Sequence, residues 1–460
     1  MTLLAGLLIA DLSTLLLHAG LCIVLYICTS LIYNIYLHPL SISPGPKLAV
    51  CSSLHEFYHD VIRGGMFMWE IEKMHEQYRP IVRINPREIH IEDPEFIDIV
   101  YASGAHTRTK DSLFTVAFSS PHSVISTIDH VHHRQRKGYL KNFFSRRSRE
   151  SLSPFIQESV DILCEKLMNA NRANDVLRLD SLYADLTADI ITYYSFGQSY
   201  GYLRGKWLNK RYPLRHKRDY HGIPHQPLLP FLPPHPLLHA RRTCEDTRQD
   251  PNDEVNRRET IFSALSSPNI PASERTAPRL MDEGFVVLAA GTVTTARTLA
   301  LASFYIFSSK AILRSLRKEL VDSVMPDLDS RSSWSELERL PSLTAVITEA
   351  LRLTHGVTFR QARIAPDEAP VFRDWVIPPG CWIKAKEQEF PLHKYLMSFS
   401  RGSRQCLGMG LAYFELYLTL AHIVRRFDME MVDITEANLE VGRDLAIAYL
   451  KREEYLLKGR

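Results

Sequence analysis

Between Phe399 and Gly408 the chain reads Phe-Ser-Arg-Gly-Ser-Arg-Gln-Cys-Leu-Gly, a set of residue types suited to presenting a cysteine sulfur to a metal. A thiolate that ligates iron needs a loop that keeps the sulfur still, backbone N–H groups aimed at it, and walls that exclude water. Gly402 and Gly408 permit tight turns and close backbone approach, Phe399 supplies apolar cover, and Arg404 is a cation suited to an anionic cofactor edge. The next run, Met409 to Phe427, is largely apolar with helical spacing. Cys406 therefore sits at a helix N-terminus, where the dipole is expected to lower its pKa. On residue type alone, an inert buried thiol is the competing reading.

Three further stretches carry groups that do chemistry. In His132-His133-Arg134-Gln135-Arg136-Lys137, residues four apart share a helix face, so His132 and Arg136 are placed to reach one anion jointly; a solvated basic face is the alternative. The long apolar run Met281 to Phe304 is interrupted by Gly291-Thr292-Val293-Thr294-Thr295. A polar, Gly-containing break suits a buried helix that opens beside a reaction centre, whereas the run taken alone has the length of a membrane span. Glu349 and Arg352 form an i,i+3 pair on the helix Ser342 to Leu353.

The pattern Phe-x-x-Gly-x-Arg-x-Cys-x-Gly, complete from Phe399 to Gly408, resembles the haem-thiolate loop of the cytochrome P-450 monooxygenases. That resemblance implies a mostly α fold with small β-sheets and an N-terminal transmembrane helix, and haem b with Cys406 as the axial ligand. It places Phe399, Gly402, Arg404 and Gly408 around the cofactor, and Thr294 and Thr295 in the proton network that serves bound O2. His132 and Arg136 fall where the family bonds a haem propionate, with His133 as the neighbouring alternative, and Arg363 falls at a second propionate ligand. Val357 to Phe359 would line the pocket, and Glu349 and Arg352 match a buried core pair. Gly197-Gln-Ser-Tyr-Gly-Tyr202 resembles fungal secondary-metabolism members, particularly those oxidising terpenoids such as trichodiene. The implied activity inserts one oxygen atom from O2 into an apolar small molecule, with electrons from NADPH-cytochrome P-450 reductase. Arg401, Lys394, Arg134 and Lys137 would dock an acidic reductase face.

The elements that position these groups follow from composition. Leu12 to Leu37 carries no charge and is long enough to cross a bilayer; a cleaved signal peptide and a buried helix are the rivals. No Lys or Arg precedes Lys47, so the bulk of the chain is expected to face the cytosol. The expected arrangement is a single-pass anchor in the endoplasmic reticulum membrane over 1–38, a proline hinge over 39–46 and one catalytic domain over 47–460. Strand-like alternation at Ile81-Val-Arg-Ile-Asn and Ile89-His-Ile-Glu predicts a small sheet. A net charge of +3 gives no case for nucleic acid, and seven scattered cysteines without a C-x-x-C pair fit reduced thiols.

The chain departs from the family pattern in three places. Val293 stands where an acidic residue usually precedes the threonine, so proton delivery must run through Thr294, Thr295 and water. Residues 204–257 hold a basic run and dense prolines where two pocket-roofing helices are normal. Only Cys381 to Ser398 separates Gly380 from Phe399, with no arginine to join Glu349 and Arg352. Two alternatives to an active oxygenase follow: a family relic lacking stable haem, and a helical scaffold with two membrane spans.

Overall fold

The structure, a computed structural model, describes residues 2–117, 120–205, 260–358, 360–385, 396–445, 448–451 and 455–459. The proline-rich 206–259 and the segment 386–395, with most of the second and third departures just named, lie outside them, as do Lys394 and Phe359. The chain divides into two units: a smaller one of Met1–Val100, His106–Arg108 and Ala362–Gln388, and a larger one of the rest.

In the smaller unit the helix Thr2–Ile32 passes into a π-helical turn, Tyr33–Leu37. The segment Thr14–Leu37 has a mean hydropathy of 2.3 and no residue of its most apolar stretch is buried by protein, as expected of a segment whose partner is lipid. Pro39, with no N–H to donate, follows the end of this helix. Pro44-Gly45-Pro46 is then fastened to the sheet. Arg83 N–H donates to the Pro44 carbonyl at 2.7 Å, and any Cβ at Gly45 would strike the Arg83 backbone. The Arg83 guanidinium, fully buried, donates to the carbonyls of Asn34 and Pro86. The two alternating stretches form strands as expected. Ile81–Arg83 pairs antiparallel with Glu88–Ile91, which runs parallel to Trp382–Ala385, itself antiparallel to Arg363–Ile364. Val371–Phe372 and Trp375–Val376 make a separate hairpin whose corner residue Arg373 has φ 52°.

The larger unit is built on the helix Ala277–Ser308. Unlike the N-terminal segment, 61% of its apolar window is buried inside the protein, which makes it a core helix and removes the case for a second span. It runs unbroken through Gly291 and Thr292, so the expected opening in the helix does not occur. The glycine serves packing instead: a Cβ at Gly291 would overlap Ile191 of the helix Leu179–Phe196. That close approach lets Thr187 donate to the Thr292 carbonyl at 2.9 Å, and lets the hydroxyls of Tyr183 and Ser303 meet at 2.6 Å. The helices Ser153–Ala173 and Met409–Arg426 complete the bundle, whose apolar faces form one continuous core. Each Leu, Ile or Phe fully withdrawn from water there contributes about 1.5–3 kcal/mol. A three-stranded sheet, Leu177–Arg178, Leu456–Gly459 and Met429–Val432, closes one flank.

Candidate active site

Cys406 lies three residues before the first residue of the helix Met409–Arg426, and its loop is fixed from several directions. Its own N–H donates to the Phe399 carbonyl at 2.9 Å, while the Phe399 ring packs 5.3 Å from that of Tyr413. Gly402 has φ 69°, and a Cβ there would drive into the carbonyl oxygens of Tyr101 and Ala102; only glycine fits. Gly408 is different. Its φ of −80° suits any residue, but a Cβ would occupy space 3.9 Å from the Cys406 sulfur. Leaving it out keeps the room beside the sulfur open, and the sulfur is accessible.

The electrostatics of the sulfur depart from expectation. Surrounding protein raises the Cys406 pKa by desolvation, and the N–H groups of Gly408 and Met409 together with the Lys137 ammonium lower it without offsetting that rise. The helix end alone therefore does not produce a thiolate. Binding a metal displaces the thiol proton, the usual coupling of thiolate and metal.

Lys137 belongs to the helix His130–Leu140, capped by the Asp129 carboxylate. Its buried residues are His130, His133 and Leu140. Lys137 lies on that face, and its ammonium donates to the carbonyls of Ser403 and Gln405, each at 2.9 Å. His132 and Arg136 sit one position round the helix and are committed elsewhere. His132 Nε2 lies 2.6 Å from Glu274 Oε1, and Arg136 Nε donates to Glu274 Oε2 at 2.7 Å. The spacing argument was sound in that the pair does converge on one anion, but the anion is a side chain of the same unit. Arg279 donates to the same carboxylate and also pairs with Glu283. Although burial opposes it, hydrogen bonds from Arg136 and His132 hold the Glu274 carboxyl down at about 2. The residues on the loop-facing side, His133 and Lys137, were missed as a pair because lysine was given a surface docking role. The four-residue spacing from a histidine to a cation marks them equally well.

Arg404 is buried and donates to the carbonyls of Thr127 at 2.7 Å and Ile128 at 2.6 Å. It thus ties the cysteine loop to the segment leading into His130–Leu140. Arg363 is buried in the smaller unit, where its guanidinium donates to the Ala362 carbonyl. Glu349 and Arg352 form the expected pair, Oε1 to Nη2 2.7 Å, but the Glu349 side chain is 54% exposed. It is a surface ion pair and not a buried one, so the desolvation cost expected for it does not arise.

On the core helix, Ala290 is exposed and Thr294 partly so, while Thr292, Val293 and Thr295 are buried. Ala290 and Thr294 are four apart and share one face, and the Thr294 hydroxyl donates to the Ala290 carbonyl at 2.8 Å. The Thr298 hydroxyl donates in turn to the Thr294 carbonyl and meets Thr354 at 3.3 Å.

This exposed cysteine, in a glycine-shaped loop backed by a cation, is matched by sequence comparison. A family model described as cytochrome P-450 covers residues 44–388 and 379–457. The chain belongs to the cytochrome P-450 family. The TRI4 cytochrome P-450 monooxygenase of Fusarium sporotrichioides is 38% identical over 93% of this chain and 91% of its own length. Conidiogenone synthase of Penicillium rubens is 38% identical over 91% and 93%, and the astB monooxygenase of Aspergillus terreus 35% over 93% and 94%. The chain is therefore a haem-dependent monooxygenase of the fungal secondary-metabolism type. The family's cofactor is haem with cysteine-thiolate ligation, and the donor set here suits it: an exposed cysteine, two N–H groups directed at its sulfur, and a cation behind the loop. P-450 enzymes use redox partners, O2 and small-molecule substrates, and the N-terminal apolar helix suggests a membrane anchor.

Proposed function

We propose that this P-450 holds haem b through Cys406 and inserts one oxygen atom from O2 into an apolar small molecule, a terpenoid or related secondary metabolite. The observation that carries this is the arrangement at Cys406, with an accessible sulfur, the N–H groups of Gly408 and Met409 and the ammonium of Lys137 around it. Haem bound there supplies electron storage and oxygen activation, tuned by its thiolate ligand.

The protein's own residues do the rest. Phe399 and Gly402 fix the loop, and the N–H groups and Lys137 temper the sulfur's negative charge, which sets how strongly it donates to a bound metal. Lys137, His133 and Arg404 of the larger unit are our assignment for the cofactor's carboxylates, with His132 and Arg136 reassigned to Glu274. Thr294 presents a hydroxyl on the accessible face of the core helix; rotating away from the Ala290 carbonyl lets it pass a proton outward, with Thr295 and water behind it. Val293 is apolar and buried, so position 293 itself supplies no acid to that route. Ala290 leaves space for an apolar substrate on the same face.

The anchor reading extends to a single span in the endoplasmic reticulum membrane with the catalytic domain in the cytosol. NADPH-cytochrome P-450 reductase is the proposed electron donor, approaching Arg134 and Arg401. Incubating the full-length chain with this reductase, NADPH and 18O2 in the presence of sesquiterpene hydrocarbons should give a product carrying one 18O atom. Haem-loaded protein that consumes NADPH yet transfers no label to any apolar substrate would refute the oxygenase proposal.

One observation favours a second reading, a relic with weakened haem retention. The family-model match comes in two parts that overlap at 379–388, beside the shortened stretch that lacks an arginine. Haem content after gel filtration separates the two readings: near one per chain for the enzyme, well below one for the relic.

A further inference from the structure

In the smaller unit, three metal-ligating side chains with no part in the P-450 site converge across a turn. His55 belongs to the short helix Leu54–Phe57 and His59 to the π-helical turn Tyr58–Ile62 that continues it; Glu70 comes from the next helix, Phe67–Tyr78. The turn between them contains Gly64 and Gly65, at φ 71° and 81°, conformations that glycine adopts without strain and that fold the second helix back on the first. The histidines, four apart, place their ring centroids 4.8 Å from each other.

One ligand atom from each of the three lies within 4.8 Å of the others. His55 Nε2 is 3.7 Å from Glu70 Oε1, and His59 Nε2 is 4.0 Å from Glu70 Oε2. Both distances are too long for hydrogen bonds. They are close to the separation of about 3.4 Å that a tetrahedral ion with bonds of ~2.0–2.2 Å imposes on neighbouring donors. His55 Nε2 is shielded from solvent and makes no hydrogen bond.

We propose that His55, His59 and Glu70 bind a divalent cation of the zinc type, clamping the turn 63–66 with three protein ligands and water in the fourth position. Two nitrogens and one carboxylate oxygen are a borderline donor set that suits zinc over magnesium or calcium. Two cations now attend the cluster. Lys73 Nζ is 3.4 Å from Glu70 Oε2 and Arg63 Nη1 is 3.5 Å from His59 Nδ1. A guanidinium only donates, so the approach of Arg63 to Nδ1 favours the His59 tautomer protonated on Nε2. Ligation through Nε2 needs the opposite tautomer and must displace Arg63, an exposed side chain.

The test is a Co2+ titration of the full-length protein, purified without a polyhistidine tag and stripped of loosely bound metal, followed by its visible d–d bands and by Zn2+ competition. One equivalent of Co2+ should give tetrahedral-type bands that Zn2+ abolishes. His55→Gln and Glu70→Gln should each weaken binding at least about tenfold, with metal-free circular dichroism unchanged. Arg63→Ala should tighten binding several-fold, which a merely structural role would not produce. No band in the wild type, or equal affinity in the wild type and both Gln variants, would overturn the proposal.

Discussion

Lys137 grips Gln405, the residue just before Cys406: its ammonium donates to the Gln405 carbonyl at 2.9 Å while a bond of equal length reaches Ser403. The neighbouring Arg136 is turned to Glu274 instead. The two cations are adjacent in sequence yet serve different ends, and substitution should separate them. Lys137→Met removes charged hydrogen bonds worth about 1.5–3 kcal/mol each from the cysteine loop. It should cut haem retention by tenfold or more and lower the unfolding midpoint as well. Arg136→Met should lower the midpoint and leave haem retention near that of the wild type. Haem dissociation rates and urea unfolding of both variants check this.

The Glu274 carboxylate adds a pH dependence. Its folded pKa of about 2 lies below the ordinary 4.5. The stability it contributes is therefore fully present above about pH 4.5 and is lost as pH falls toward 2. Glu274→Gln should be less stable than wild type at pH 7 by about 3 kcal/mol, since it leaves buried cations short of a partner. The difference should shrink steadily through that acid window, as read from urea midpoints at several pH values.

Gly402→Ala tests the loop's shape. The added methyl meets the Tyr101 and Ala102 carbonyls at a positive φ, a backbone conflict that side-chain movement cannot relieve. A loss of about 2 kcal/mol or more together with loss of the thiolate spectrum is expected. Gly408→Ala, with no such conflict, should fold normally and disturb only the space beside the sulfur.

Gly291→Ala should cost about 1–3 kcal/mol by overpacking against Ile191. Because the obstacle is a side chain, Ile191→Ala in the same molecule should recover part of that loss. A double-mutant cycle on thermal unfolding measures the coupling; additive effects would contradict the contact.

Much of this was legible from residue types where the backbone admits few solutions. The cysteine loop could be read because Gly402 stands where no other residue fits, and the two strands at 81–91 because of their β-branched alternation, although both strands prove buried on both faces, polar Arg83, Glu88 and His90 included. Helix phase was harder. In His132-His133-Arg134-Gln135-Arg136-Lys137 both the 132/136 and 133/137 pairs are four apart, and charged residues carry no apolar stripe to orient them. Leu140, seven residues beyond His133, was the available marker, since it is buried on the same face. The Glu349–Arg352 spacing gave the pair but not its exposure, which depends on what packs over it. Gly291 read as a helix break because composition does not reveal a partner helix: its reason is Ile191, a hundred residues earlier in the chain. The sulfur's pKa was misjudged in sign because desolvation by surrounding protein, invisible in a sequence, outweighs the helix end.

The most direct measurement is the absorption spectrum of the purified full-length chain, reduced and treated with CO. Ligation by the Cys406 thiolate predicts a Soret band near ~450 nm in the wild type and its absence in Cys406→Ser. A wild-type chain that shows no such band, or that gives the same spectrum as Cys406→Ser, would contradict thiolate ligation at this position.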